Sequence, residues 1–176
     1  MPKIDNFYPL YRDKLKKFVG KDLKFLEIGV QDGSSIKYWR SMSPSWNVWG
    51  LDHDHKCTGE QIVIGSQEDP EVLKQFEGFD IVIDDGGHTM KQQIETFKQL
   101  FPTVRKGGLY VIEDLHTSYW PDFKDYPIST MEFLKPLIDS VHIAEANCSR
   151  LGNRKKIDKT GIEAIEFYPS IVFIWK

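Results

Sequence analysis

The sequence predicts an α/β fold: one open, mainly parallel sheet with helices on its faces. Three observations predict it. Apolar segments of strand and helix character alternate from residue 24 to residue 113, which implies parallel strands joined by right-handed crossovers. Glycines follow or precede the strand-like runs, where a chain must turn sharply. Two apolar stretches near the C-terminus, separated only by a polar loop, read as an antiparallel hairpin at one sheet edge. The 176 residues, 40% hydrophobic and 13% aromatic, suffice for one sizeable core, so residues 1–176 are expected to form a single domain.

Residues 7–19 read as an amphipathic helix carrying Tyr8, Leu10, Tyr11, Leu15 and Phe18, within an N-terminal helical segment over 1–20. It is placed either to cover a sheet face or to close over a ligand, packing being the simpler role. Residues 24–30 (KFLEIGV) are a buried strand ending in a glycine turn, and 34–42 a helix capped by Ser34 or Ser35. Strands follow at 47–52 and 61–64, then a short helix starting near Pro70, a residue suited to a first helical turn. A fourth strand covers 79–84. From Thr89 onward Ile94, Phe97, Leu100 and Phe101 share one helical face, and Gly107 and Gly108 release the fifth strand, 109–113. Residues 140–146 and 166–175 are the expected hairpin strands.

The net charge of −3 argues against a nucleic-acid surface, which needs clustered positive charge. The densest basic runs, Lys14, Lys16 and Lys17, then Arg150, Arg154, Lys155 and Lys156, lack interleaved aromatics and read as solvated surface. Cys57 and Cys148 form no CxxC pattern, so neither a zinc site nor a disulfide framework is indicated. No apolar run approaches the roughly 18 residues that span a bilayer, and residues 1–10 lack the apolar core of a signal peptide. A cytoplasmic protein is expected, with no membrane span; homo-oligomerisation stays open.

Two regions carry chemistry. In the first, Gly29 and Gly33 sit where a strand hands over to a helix and would let backbone approach a ligand closely. Asp52, ending the next strand, is placed to accept hydrogen bonds from both ribose hydroxyls of an adenosine, and residues 65–69 form a polar loop of the kind that borders an adenine. The dinucleotide fingerprint G-x-G-x-x-G is missing, which counts against NAD. In the second region Asp84, Asp85, Glu113 and Asp114 finish two successive buried strands. If those strands are neighbours their ends lie about 4.8 Å apart. Carboxylates that close repel one another unless a cation sits between them, and a hard divalent ion with oxygen ligands resolves the conflict. His88, on a glycine-bearing turn beyond Asp85, is a candidate general base, with His116 the alternative. The tract Asp52 to His55 with Cys57 could imitate a transition-metal site, but a loop position favours solvent exposure.

The segments FLEIGVQDGSS, FDIVIDDGGH and LFPTVRKGGLYVIEDLHTSYW together resemble the Mg²⁺-dependent class I sugar O-methyltransferases that tailor macrolide antibiotics. The resemblance runs from Phe25 to Trp120, and its last motif is the most specific. It implies a Rossmann-like, seven-stranded sheet of order 3-2-1-4-5-7-6 with the seventh strand antiparallel. It also implies S-adenosylmethionine and Mg²⁺, or Mn²⁺, as cofactors, the metal on Asp85, Glu113 and Asp114, and His88 as the base, with Asp85 beside it in catalysis. Glu27, Gly29, Gly33 and Asp52 correspond to cofactor-binding positions, to which Ser34, Gln67 and Asp84 are added. Two departures are Gly87, where members often have serine, and the missing long N-terminal extension; the oligomeric state and large hydrophobic acceptor of the macrolide enzymes are therefore not carried over.

The implied acceptor is a saccharide or glycoside, with a deoxyhexose in a glycan or glycoconjugate preferred. Tyr119, Trp120 and Tyr126 form either a stacking wall for a sugar ring or part of the core. The rival readings are a catechol-type O-methyltransferase, a nicotinamide oxidoreductase, and a non-catalytic S-adenosylmethionine-binding protein.

Overall fold

A computed structural model describes residues 7–142 and 160–176. Seven strands form one sheet: β1 (Leu23–Ile28), β2 (Trp46–Asp52), β3 (Ile62–Ile64), β4 (Ile81–Asp84), β5 (Leu109–Ile112), β6 (Ala164–Tyr168) and β7 (Ile171–Trp175). Their order is β3-β2-β1-β4-β5-β7-β6, as the family resemblance implies. The first five run parallel, and β7 is antiparallel to both β5 and β6.

Both faces of the central strands are covered, which is why they read as near-continuous apolar runs. Alternate residues go to opposite faces. Phe25, Ile81, Ile83 and Val111 pack with Tyr11, Leu15 and Trp39 from α1 (Phe7–Leu15) and α2 (Ser34–Met42). Leu26, Ile28, Val82 and Ile112 pack on the other side with Leu73 of α3 (Pro70–Leu73) and Phe97 and Leu100 of α4 (Met90–Leu100), joined by Leu134 of α5 (Thr130–Leu134). The N-terminal helix therefore has the simpler role, covering a sheet face; Phe7, Tyr11 and Leu15 are its buried stripe.

Three expectations need correction. The hairpin is β6–β7, folded within residues 164–175 around Pro169 and Ser170, with Ser170 at φ 65°. Proline cannot donate to a ladder, so it breaks the long apolar stretch into two strands. Ser140 and Val141 instead end α6 (Leu137–Val141), where Leu137 and Val141 reach the core at helical spacing. Residues 143–146, with Cys148, Arg150, Arg154, Lys155 and Lys156, lie outside the described residues.

The second correction concerns the cap of α2. Gly33 occupies the N-cap in the left-handed region at φ 75°, and neither Ser34 nor Ser35 caps it. Asp32 does the local work, its carboxylate accepting from the Ser34 amide at 2.9 Å. The third concerns the basic run: Lys16 is solvated, but Lys14 of α1 pairs with Glu166, and Lys17 of the following 3₁₀ turn lies 3.8 Å above the Trp175 ring, so both hold the N-terminal helical segment against the terminal hairpin. No helix among the described residues is long and apolar enough to cross a membrane.

Candidate active site

The five parallel strands all end at one edge of the sheet, and open α/β sheets bind ligands there. A cleft of about 810 Å³ opens at that edge, lined by Gly29, Asp52, Gly65, Gln67, Asp85 and Gly86 among others. That volume falls within the usual range for small-molecule sites, roughly 300–1,000 Å³.

Asp52 is the best-anchored acid in the cleft. Its Oδ2 accepts from the amides of Val30 (2.7 Å) and Gln31 (2.9 Å), and its Oδ1 accepts from Asp54 at 2.9 Å. Burial would raise its pKa, but the three backbone amides outweigh burial and hold the carboxyl below its ordinary value. The Cys57 thiol adds a further hydrogen bond that lowers it in the same direction.

The loop after β4 is shaped from below by Gln67. Its Oε1 accepts from the Gly87 amide at 2.9 Å, and its Nε2 donates to Asp84 Oδ1 at 3.1 Å. A Cβ on Gly86 would come 2.0 Å from Gln67 Oε1, so the loop lies flat on that side chain only because residue 86 is glycine. Asp84 is buried beneath, and burial pushes its carboxyl up to about 7 against the opposing bond from Gln67.

Beside the cleft the two acidic strand ends meet. β4 and β5 are neighbours with Asp84 opposite Ile112, and the ladder continues through the Glu113 amide donating to the Asp84 carbonyl at 3.0 Å. Asp85, His88 and Asp114 each bring one ligand atom within 4.8 Å of the others. His88 turns Nε2 toward the carboxylates, 3.4 Å from Asp114 Oδ2 and 3.9 Å from Asp85 Oδ1. Its buried Nδ1 has no hydrogen-bond partner among the described residues. Burial lowers the His88 pKa against the raising field of Asp114, which favours the neutral imidazole that a base or a metal ligand requires. His88 and Asp114 both hold left-handed backbone, at φ 60° and 55°. Such conformations are uncommon for residues other than glycine and gather where side chains must be aimed. Two carboxylates and an imidazole at this spacing suit a divalent cation.

No family model matches the chain. Among curated proteins it is 32% identical, over 98% of its length, to the 8-demethyl-8-alpha-L-rhamnosyl tetracenomycin-C 2'-O-methyltransferase of Streptomyces olivaceus. It is likewise 32% identical, over 97%, to the mycinamicin VI 2''-O-methyltransferase of Micromonospora griseorubida. Among solved structures, the mycinamycin-pathway methyltransferase MycE in complex with Mg, SAH and mycinamycin VI superposes on the whole chain with a TM-score of 0.86 at 32% identity. Over nearly its whole length the chain is similar to these sugar O-methyltransferases. It spans about half the length of the relatives it matches, 50% and 48% of the two curated proteins and 50% of the MycE chain.

The positions singled out in the sequence divide into those that the cleft and the cluster bring together and those that they do not. Gly29, Asp52, Gln67 and Asp85 line the cleft, and Asp85, His88 and Asp114 form the cluster at its border. Glu113 stands next to that cluster but turns Oε1 to the Tyr11 phenol, which donates to it at 2.5 Å. Burial first, then the Glu113 charge, raises the Tyr11 pKa, so the phenol keeps its proton. Glu27 is buried under α2, accepting from Ser35 Oγ at 2.6 Å and Trp39 Nε1 at 2.9 Å. Gly33 borders a smaller pocket of about 320 Å³ that adjoins the cleft through Gln31, Asp32, Lys56 and Cys57, and Ser34 and Asp84 do not line the cleft among the described residues. His116 contacts Ser170 through Nδ1 and lies 3.8 Å from Asp114, one step further from the cleft than His88.

Of the three aromatics, Tyr126 is tied to α4 by its bond to Glu95 at 2.6 Å, whereas Tyr119 is 73% exposed and Trp120 stands edge-on to His116 with centroids 4.5 Å apart. The tract from His53 to His55 gathers no metal cluster among the described residues, and the His53 side chain is 89% exposed. Sequence reasoning missed Gln93, whose Nε2 donates to the Glu113 carbonyl at 2.8 Å, and Thr117. Gln93 carried a signal: it is a polar residue on the apolar stripe of Met90, Ile94 and Phe97, and buried amides occur where they have partners.

Proposed function

We propose that this chain is an S-adenosylmethionine-dependent, divalent-metal-dependent O-methyltransferase that methylates a hydroxyl of a sugar. The observation that carries the reading is the double position of Asp85, which lines the cleft with Gly29 and Asp52 and also contributes to the cluster with His88 and Asp114. Cofactor site and metal site share one residue, so an acceptor oxygen at the cluster can face a methyl group in the cleft.

In this proposal Asp52 accepts a ribose hydroxyl of S-adenosylmethionine, and the donor lies along the backbone of Gly29 and Gly86, which line the cleft. Asp85 and Asp114, with Glu113 adjacent, would hold Mg²⁺ or Mn²⁺, which lowers the pKa of a neighbouring hydroxyl and favours a vicinal diol through chelation. His88 accepts the proton of the acceptor hydroxyl on Nε2. The oxygen then attacks the sulfonium methyl in line, the C–S bond breaks, and S-adenosylhomocysteine leaves. Alignment of donor and acceptor supplies much of the acceleration. A sugar acceptor is supported by the relatives, whose names place the methyl group on rhamnosyl or olivosyl hydroxyls. Their positions differ, 2', 3' and 3, so the proposal extends to a sugar hydroxyl and not to its number. The deoxyhexose of a glycoconjugate is the preferred acceptor.

The test is transfer of isotope-labelled methyl from S-adenosylmethionine to a panel of deoxyhexosides and catechols, with and without EDTA. Label is expected on a glycoside, lost in EDTA and restored by excess Mg²⁺. Transfer to catechols alone would reassign the acceptor, full activity in EDTA would remove the metal, and cofactor binding without transfer to any acceptor would leave a non-catalytic binding protein.

A further inference from the structure

Two loops carry the candidate site, one after β4 with the ligand Asp85 and the base His88, the other after β5 with the ligand Asp114. The backbone ladder between them ends, among the described residues, at the Glu113 amide on the Asp84 carbonyl. Beyond that point something else must fix their separation, because Asp85 and Asp114 can share a cation, with the base His88 beside it, only at a set spacing. Both loops also pass through left-handed residues, His88 at φ 60° and Asp114 at φ 55°, a conformation that needs support from its surroundings.

Thr117 supplies that support. It sits on the 3₁₀ turn Leu115–Tyr119, is 2% exposed, and places Oγ1 2.9 Å from the His88 carbonyl and 2.9 Å from the Asp114 carbonyl. The contact with Asp114, three residues back, is one that threonine commonly makes in a helical turn. The contact with His88 spans 29 residues and crosses from one loop to the other. A single hydroxyl proton is shared between the carbonyls of the two left-handed residues.

We propose that Thr117 is a positioning residue for the divalent cation: its hydroxyl clips the two ligand-bearing loops together at the spacing the cation requires. The inference rests on the metal reading above. It differs from a packing role, because the packing of Thr117 is kept by valine and its hydroxyl is kept by serine. Groups that orient metal ligands through hydrogen bonds typically change affinity by about 10–100-fold when removed.

The experiment measures Mn²⁺ binding to the full chain by electron paramagnetic resonance of the free ion, for wild type, Thr117→Val and Thr117→Ser, alongside melting of each protein in EDTA. Thr117→Val is expected to fold with a melting temperature lowered by several degrees, since a buried hydroxyl is lost, and to weaken Mn²⁺ binding by about 10–100-fold, whereas Thr117→Ser binds within a few-fold of wild type. If Thr117→Val does not fold, Thr117→Ala against Thr117→Ser makes the same comparison of hydroxyl absent and present. Wild-type protein that binds Mn²⁺ with the hydroxyl-free variant equal to it overturns this inference alone. Wild-type protein that binds no Mn²⁺ overturns the metal reading and this inference with it.

Discussion

Replacing Asp85 by alanine is expected to reduce methyl transfer by about 10²–10³-fold or more, on the scale of removing one preorganised electrostatic contact at a reacting centre. The side chain lines the cleft and joins the His88 and Asp114 cluster, so its loss affects metal binding and the acceptor together. The fold should survive. The Asp85 backbone amide keeps its bond to the Ile28 carbonyl at 2.9 Å, which is independent of the side chain. Removing one of several neighbouring carboxylates also relieves repulsion when no cation is bound. Melting in EDTA is therefore expected to change by no more than about 1 kcal/mol in stability, the ordinary range for a substitution outside the core. Initial rates with saturating Mg²⁺, set beside those melts, check the point; activity within a few-fold of wild type would remove Asp85 from the chemistry.

Gly29→Ala is the second large effect, and it acts on the fold. A Cβ at residue 29 would lie 2.0 Å from the Asp85 carbonyl oxygen, 2.7 Å from its carbon and 3.0 Å from Gly86 Cα. All three are backbone atoms that no rotamer change can move aside. The residue also holds φ 88°, which costs a further 1–2 kcal/mol or so for a side-chain-bearing residue. The ends of β1 and β4 would have to separate, consuming several of the roughly 5–15 kcal/mol that stabilise a domain. A fall in melting temperature of about 10 °C or more is expected, or failure to accumulate as folded protein. Gly33→Ala is the control: nothing lies within 4 Å of its Cβ position, so only the φ of 75° is strained. If Gly29 served only the approach of a ligand, Gly29→Ala would lose S-adenosylmethionine binding and keep its melting temperature.

The contrast at Gly29 shows what could be read from the residues alone. Its need for glycine was legible, but the partner was not, because the Asp85 carbonyl lies 56 positions away and arrives through a strand crossing. The parallel sheet was legible because strands buried on both faces leave long apolar runs, and the acidic ends of β4 and β5 were legible because carboxylates at the close of such runs have few structural uses. Glu27 shows the limit. On a strand, one position decides the face, and the bonds from Ser35 and Trp39 draw Glu27 under α2. Nothing in the string FLEIG distinguishes an acid facing a cofactor from one anchoring a helix. The first hairpin strand was misplaced because Val141, next to the polar Ser140, fits either period, and Leu137, four positions before it, decided for the helix. Thr117 left no trace, since a threonine in a turn is ordinary until the second loop is beside it.

The most direct measurement is anomalous diffraction from crystals of the full chain grown with Mn²⁺ and S-adenosylhomocysteine. A single strong peak bounded by Asp85 and Asp114 is expected, with the adenosine against Asp52 and the sulfur turned toward that peak. Mn²⁺ bound instead at carboxylates away from this border, or a ligand lying in the smaller pocket beside Gly33 with its sulfur remote from Asp85, would contradict it.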